Sequence, residues 1–254
     1  MNNKNKQKIA LRKLESKTNT INFHFYDSCN FRCKHCFVNM QNKSLTFAEA
    51  KQIVDILKEN YNYNRINLAG GEPLLSPYIQ PLIDYIVFKG FTCSLVTNGS
   101  MLTEEFVELN KTKLQMIGIS VDSLNDETNQ LIGRKKINNL IPVCKKIKEV
   151  GIKLKINVCV LSYNKHENLS SFLQKVKPDR FKIFQAIPSP HKPDSHQMIV
   201  SDNEFLEFCA RHQTFGPICE NDSFIKDGYD IVDAEGVLSN NNLRLGKSVI
   251  ARLL

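Results

Sequence analysis

With 254 residues, 42% of them hydrophobic, the chain is long enough to bury a sizeable core within one domain. A formal charge of +8 favours anionic partners, whether nucleic acid, a membrane surface or a phosphorylated small molecule, and does not choose among them. No apolar run reaches the roughly 18 residues of a membrane span. Met1 to Lys17 is Asn/Lys-rich with no apolar signal core, so a cytoplasmic protein is expected, with residues 1–20 a polar basic leader.

Taken in chain order, apolar runs alternating every two residues take turns with segments of helical period, the pattern of repeated β-α units and a parallel sheet. Strands are predicted over Ile21 to Tyr26, Arg65 to Leu68, Thr92 to Val96, Met116 to Ser120, Lys153 to Val160 and Arg180 to Gln185. Between them, Thr46 with Glu49 reads as a capping box, Ser76-Pro77 opens a helix that Gly90 ends, and Gly151 follows a helix ending near Val150. Ile187 to Met198, with three prolines, is predicted as a loop, and Ser201 with Glu204 starts another helix. From Phe215 onward periodicity weakens. The predicted fold is α/β, a partial (β/α)6 barrel over 21–214 followed by a short extension over 215–254.

Eight cysteines in a chain of this length do not make a disulfide scaffold. Cys93, Cys144, Cys159, Cys209 and Cys219 are scattered and read as small buried hydrophobes. Cys29, Cys33 and Cys36 lie within eight residues just past the first strand, where a loop brings them together by wrapping one metal centre. Structural zinc wants four protein ligands, which His24 or His35 would have to complete. A 4Fe-4S cluster on three cysteines instead leaves one iron open.

The Cys-x-x-x-Cys-x-x-Cys spacing after a first strand resembles the signature of the radical S-adenosylmethionine superfamily. The resemblance implies a 4Fe-4S cluster whose open iron chelates S-adenosylmethionine, and reductive cleavage of that cofactor to a 5'-deoxyadenosyl radical. The electron would come from an external flavodoxin- or ferredoxin-like donor. Phe37 would lie near the cofactor's adenine, and Gly70-Gly71-Glu72-Pro73 would hold its amino group. Thr97-Asn98-Gly99-Ser100 and Ser120-Val121-Asp122-Ser123 add hydroxyl and amide groups at the carboxyl ends of strands, the rim on which parallel barrels keep their sites.

Four strands carry a polar pair two residues apart: Asn22 and His24, Arg65 and Asn67, Lys155 and Asn157, Arg180 and Lys182. Residues so spaced share a face, and the opposite faces are apolar, so the polar faces are expected to point into the barrel. Interiors of such barrels are normally filled by Val, Ile and Leu. An uncompensated buried charge costs on the order of several kcal/mol, and no matching acids stand on those faces. An anionic ligand is the expected counter-charge, a polyphosphate held by side chains, since no phosphate-cradling glycine loop is present.

These positions resemble the viperin family and its prokaryotic members over about Ile21 to Ser239. The resemblance rests on Asn22-Phe23-His24-Phe25, Asp122-Ser123-Leu124, Leu131-Ile132-Gly133-Arg134, Lys155-Ile156-Asn157, Arg180 to Gln185, Glu220-Asn221 and Tyr229 to Asp233. It implies conversion of a ribonucleoside triphosphate to its 3'-deoxy-3',4'-didehydro form, a chain terminator. Asn22, Arg65, Lys155, Asn157, Arg180 and Lys182 would contact the nucleotide, with Ser120 and Arg134 near the cofactor's carboxylate. Ala69 stands where the family often has a small hydroxyl residue, and the family's lid is expected to be absent or truncated after Gly246. Rival readings are another radical S-adenosylmethionine reaction, on a peptide or in cofactor synthesis from GTP, and a basic metal-stabilised nucleic-acid-binding protein. Neither a stable nucleic-acid partner nor a membrane is expected.

Overall fold

Strand and helix alternate because each strand in the first three-quarters of the chain has one face of large apolar side chains that only a covering helix can bury. The computed structural model describes residues 19–38, 40, 43–137, 140–221, 229–242 and 246–254, so the leader as far as residue 18 lies outside the described residues. The order is β1 (Thr20–Tyr26), α1 (Phe47–Asn60), β2 (Arg65–Gly70), α2 (Ile79–Phe88), β3 (Thr92–Thr97), α3 (Glu104–Leu109) and β4 (Leu114–Ser120). It continues through α4 (Asp126–Leu131), α5 (Leu140–Glu149), β5 (Lys153–Val160), α6 (Ser170–Val176), β6 (Arg180–Gln185) and α7 (Asp202–Arg211). β7 (Ile218–Glu220), β8 (Asp230–Val232), β9 (Val237–Asn242) and β10 (Gly246–Arg252) follow.

The six predicted strands lie side by side and parallel in sequence order, the open arrangement of a partial barrel. Phe23, Phe25, Ile66, Leu68, Leu154, Ile156 and Ile183 have no exposed surface, and they pack with Ile53 and Leu57 of α1 and Ile83 and Ile86 of α2 in one core. Both capping boxes form as expected, at Thr46 with Glu49 and at Ser201 with Glu204. α2 begins three residues later than Ser76-Pro77 suggested, because Pro73–Leu75 form a separate 3-10 turn that Ser76 caps.

After Phe215, where periodicity is weak, the chain adds β7, β8, β9 and β10 to the sheet. β7 pairs parallel with β6 at one edge, while β8 pairs parallel with β1 at the other and carries the antiparallel ribbon of β9 and β10. β7 and β8 have three residues each, too short to show any alternation, so their pairing comes from the edges they meet.

Candidate active site

The register of the ladder decides which side chains share the inner face. Asn22 stands beside Asn67 and Asn67 beside Ser94, while Gly118, Lys155 and Arg180 form one row and Ser120, Asn157 and Lys182 the next. The first row is tied together: the Asn67 amide donates to Asn22 Oδ1 at 2.8 Å, and the Ser94 hydroxyl donates to Asn67 Oδ1 at 2.9 Å.

At the carboxyl rim, the cysteine loop is fastened to its neighbours by backbone. Gly71 N–H donates to Tyr26 O at 2.8 Å and Glu72 N–H to Ser28 O at 2.9 Å. A methyl group on Gly71 would stand 2.2 Å from Ser28 O, and one on Gly70, whose φ is +132°, 2.4 Å from Tyr26 O. The glycine pair is therefore required by the close approach of β2's end to the loop that carries the thiols. On the other side, Arg32 N–H donates to Gly133 O and Lys34 N–H to Ile132 O, both at 3.0 Å. The Ser189 hydroxyl donates to Cys36 O at 2.9 Å, so the proline-rich segment after β6 closes the third side.

Cys29, Cys33 and Cys36 are free thiols, each partly buried. Burial pushes the Cys33 thiol up to about 12, with the Arg134 guanidinium opposing, and burial also raises Cys36. The Asn98 amide reaches Cys29 Sγ at 3.8 Å and donates to Asn30 Oδ1 at 2.9 Å. Among the described residues no three His, Cys, Asp or Glu groups converge on one point to hold a single metal ion. A cluster does not ask for that, since each thiolate binds its own iron. Three thiols without a fourth protein ligand, in a loop anchored on three sides, fit the 4Fe-4S donor set.

Glu72 is wholly buried, and its carboxylate is occupied by the protein itself. Oε1 accepts from the Thr97 hydroxyl at 2.6 Å and Leu74 N–H at 3.1 Å, and Oε2 from Asn98 N–H at 2.7 Å. Burial raises its pKa while these bonds oppose the rise. Glu72 thus ties β2's end to the turn after β3 and sets the place of Asn98. Phe37 is half-buried next to Cys36.

Arg134 and Asp122 form a buried pair that sequence reasoning did not identify. Arg134 Nη1 donates to Asp122 Oδ2 at 2.9 Å and Nη2 to Ser120 O at 2.6 Å, and the guanidinium lies 5.4 Å from the Phe31 ring centre. His35 Nε2 is 3.2 Å from the same carboxylate oxygen. Burial alone would raise the Asp122 carboxyl, yet Arg134 and His35 hold it well below the usual carboxylate range. The pair locks the turn after β4 to the cysteine loop. A hollow of about 820 Å³ beside this turn, lined by Ser123, Asn125 and Leu140, shares only Arg134 with the predicted site.

The cations stand toward the amino ends of the strands. Lys155 is five residues from the end of β5, roughly 16 Å below the rim at about 3.3 Å per residue. Lys155 has no ion-pair partner among the described residues, and Arg65 Nε, Arg180 Nε and Asn157 Oδ1 are buried without a hydrogen bond. Arg65 reaches Gln115 through Nη2. Lys182 corrects the expectation that no acid faces these strands: it is paired with Glu220 of β7 at 2.5 Å. Glu220 stands in the family-like pattern, but its place beside Lys182 comes from β7, a strand the periodicity does not show.

The fold and the thiol loop are those of a radical S-adenosylmethionine enzyme, and the model of the radical SAM superfamily matches residues 23–176. A Flammeovirga pacifica protein called S-adenosylmethionine-dependent nucleotide dehydratase is 34% identical over 87% of this chain and 82% of its own length. One of the same name from a Thermoplasmatales archaeon is 31% identical over 86% and 80%. Danio rerio S-adenosylmethionine-dependent nucleotide dehydratase RSAD2 is 30% identical over 90% and 68%. This chain belongs to the S-adenosylmethionine-dependent nucleotide dehydratases of the radical SAM superfamily. Solved structures agree on the fold: Streptococcus suis SuiB bound to S-adenosylmethionine has a TM-score of 0.69 at 16% identity, covering 91% of this chain and 63% of that one. Native anSMEcpe with bound AdoMet gives 0.67 at 13%, covering 91% and 77%.

Proposed function

We propose that the nucleotide is a ribonucleoside triphosphate and that it is converted to the 3'-deoxy-3',4'-didehydro analogue. The observation that carries this reading is the set of buried polar atoms without partners, Arg65 Nε, Arg180 Nε and Asn157 Oδ1, beside the unpaired Lys155 on the inner face. Partly buried cations whose inner nitrogens lack partners call for an anion, and their depth below the thiol rim leaves a length of barrel suited to a nucleoside. In this assignment Cys29, Cys33 and Cys36 hold the cluster, and Phe37, Gly70, Gly71, Glu72, Asn98, Ser120 and Arg134 form the cofactor end. Asn22, Arg65, Lys155, Asn157, Arg180 and Lys182 meet the substrate, with Asn22 held in place by its hydrogen bond from Asn67. When bound, the cluster and S-adenosylmethionine supply a 5'-deoxyadenosyl radical for hydrogen abstraction. Glu72 and the Arg134–Asp122 pair keep the rim rigid around it.

An external flavodoxin- or ferredoxin-like donor fits the outer side of the thiol loop. Arg32, Lys34 and Lys135 are exposed there and make no ion pair among the described residues, which suits an acidic carrier. No described helix is long and apolar enough to cross a membrane, and a cytoplasmic location agrees with this chemistry. The test is anaerobic reconstitution with iron and sulfide, then reduced flavodoxin, cofactor and each ribonucleoside triphosphate, with products read by mass spectrometry. One triphosphate should lose the mass of water while 5'-deoxyadenosine accumulates, more slowly at high salt. Cofactor cleavage with all four triphosphates intact would overturn the reading.

Lys155 gives a second, independent check. Burial, with Lys182 and Arg180 beside it, pushes its ammonium down to about 7. Below that pH the lysine is charged and binds phosphate, and above it the charge must be regained at a cost. Triphosphate affinity is therefore expected to fall as pH rises through 7, by at most about tenfold per unit. Calorimetry from pH 6 to 8.5 on wild type and Lys155→Met separates this from titration of the phosphate itself, which both proteins share. Parallel profiles in the two would show that Lys155 does not meet the ligand.

A further inference from the structure

Lys182 sits in a box that is already full. Its ammonium is 2.5 Å from Glu220 Oε1, hydrogen-bonds Tyr229 Oη, and lies 4.8 Å from the Phe184 ring centre and 5.0 Å from that of Tyr229. Tyr229 in turn donates to Glu220 Oε2 at 2.6 Å, so the carboxylate is clamped from both sides. The side chain of Lys182 is 4% exposed and that of Glu220 17%. The ladder explains the meeting: Phe184 is the register partner of Glu220, so β7 turns Glu220 onto the face that carries Arg180 and Lys182.

The pairing changes the charge of the pocket. Arg65, Arg180, Lys182 and protonated Lys155 contribute four positive charges, and Glu220 removes one of them. It does so at Lys182, the least exposed of the four, within contact distance of the ammonium that a phosphate oxygen would seek. A carboxylate and a phosphate cannot share one ammonium without repelling each other across a few ångströms of poorly screened space. Burial lowers the Lys182 pKa, and the contact with Glu220 opposes that shift, so the carboxylate also keeps the lysine charged before ligand arrives.

We propose that Glu220 is a built-in competitor for phosphate and determines specificity by charge. It holds Lys182 until a ligand with enough negative charge takes the ammonium over, so a triphosphate enters and a monophosphate does not repay the exchange. Tyr229 keeps Glu220 on station. This rests on the assignment of the basic pocket to the triphosphate, and inorganic tripolyphosphate separates the two claims because it needs neither cluster nor cofactor.

The experiment is calorimetric titration of the full chain with tripolyphosphate, a ribonucleoside triphosphate and the matching monophosphate. Glu220→Gln keeps the shape and removes the charge. Its affinity for tripolyphosphate should rise about tenfold, a change of the size seen for one charge-assisted contact, and the monophosphate should become measurable as a ligand. Tyr229→Phe should raise affinity by a smaller factor, because it loosens the carboxylate without removing it. In a Lys182→Gln background the gain from Glu220→Gln should vanish, which closes a double-mutant cycle, and Tyr229→Phe keeps the role testable if Glu220→Gln folds poorly. Unchanged or weakened tripolyphosphate binding by Glu220→Gln would overturn the competitor role. Failure of the wild type to bind tripolyphosphate at all would instead overturn the pocket's assignment.

Discussion

Anaerobically reconstituted protein is expected to lose its brown chromophore and all turnover when Cys33 becomes alanine, and equally for Cys29 or Cys36. Three cysteines are the minimum that holds a four-iron cluster with one iron left open, so no residual two-ligand state should retain stoichiometric iron. Cys93→Ala and Cys144→Ala should keep iron and sulfide content unchanged, since both thiols are wholly buried in the apolar core away from the loop. Their cost should be on the order of 1 kcal/mol of stability from the small cavity left behind. Iron, sulfide and zinc analysis on the same preparations decides the matter. Stoichiometric zinc with no iron after anaerobic handling would remove the assignment of the triplet to a cluster.

The second large effect concerns stability. Asp122→Asn should cost roughly 3–5 kcal/mol, because Arg134 is 7% exposed and would be left as a buried charge without its counter-ion. For a chain of this size that corresponds to a fall in Tm of about 10 °C. Cluster retention should suffer with it, since Arg134 and His35 tie the same carboxylate to the thiol loop. The folded carboxyl lies below its unfolded value, so its stabilising contribution is complete above about pH 4 and fades as the pH falls through that value toward the folded one. Asp126→Asn is the control: its pair with Lys136 is exposed and should contribute under about 1 kcal/mol. Equal melting shifts for the two variants would show that the buried pair does not hold the loop.

Both predictions draw on residues whose legibility in the sequence differs. Cys29, Cys33 and Cys36 could be read directly, because ligands from one loop must be close in sequence. Asp122 and Arg134 are 12 residues apart on either side of α4, and nothing in their spacing says that they meet. Gly70 and Gly71 could be noticed as a motif, but their reason, a backbone approach of β2's end to Tyr26 and Ser28, lies between strands. Likewise Glu72 stands out as part of that motif, but its bonds from Thr97, Asn98 and Leu74 follow from the meeting of β2's end with the turn after β3.

Sequence alone determined the elements whose signal is local: six alternating strands, two capping boxes, the thiol triplet, and the inward face of Lys155, Asn157, Arg180 and Lys182. Period and spacing carry that information because neighbours along one strand or helix must point to fixed sides. Tertiary structure decided what depends on distant partners. β7 and β8 exist as strands through the hydrogen bonds that β6 and β1 offer them, and Lys182 meets Tyr229 across 47 residues of chain. A three-residue strand has no period to read, and an ion pair between strands follows from the register of the sheet, which no local pattern encodes.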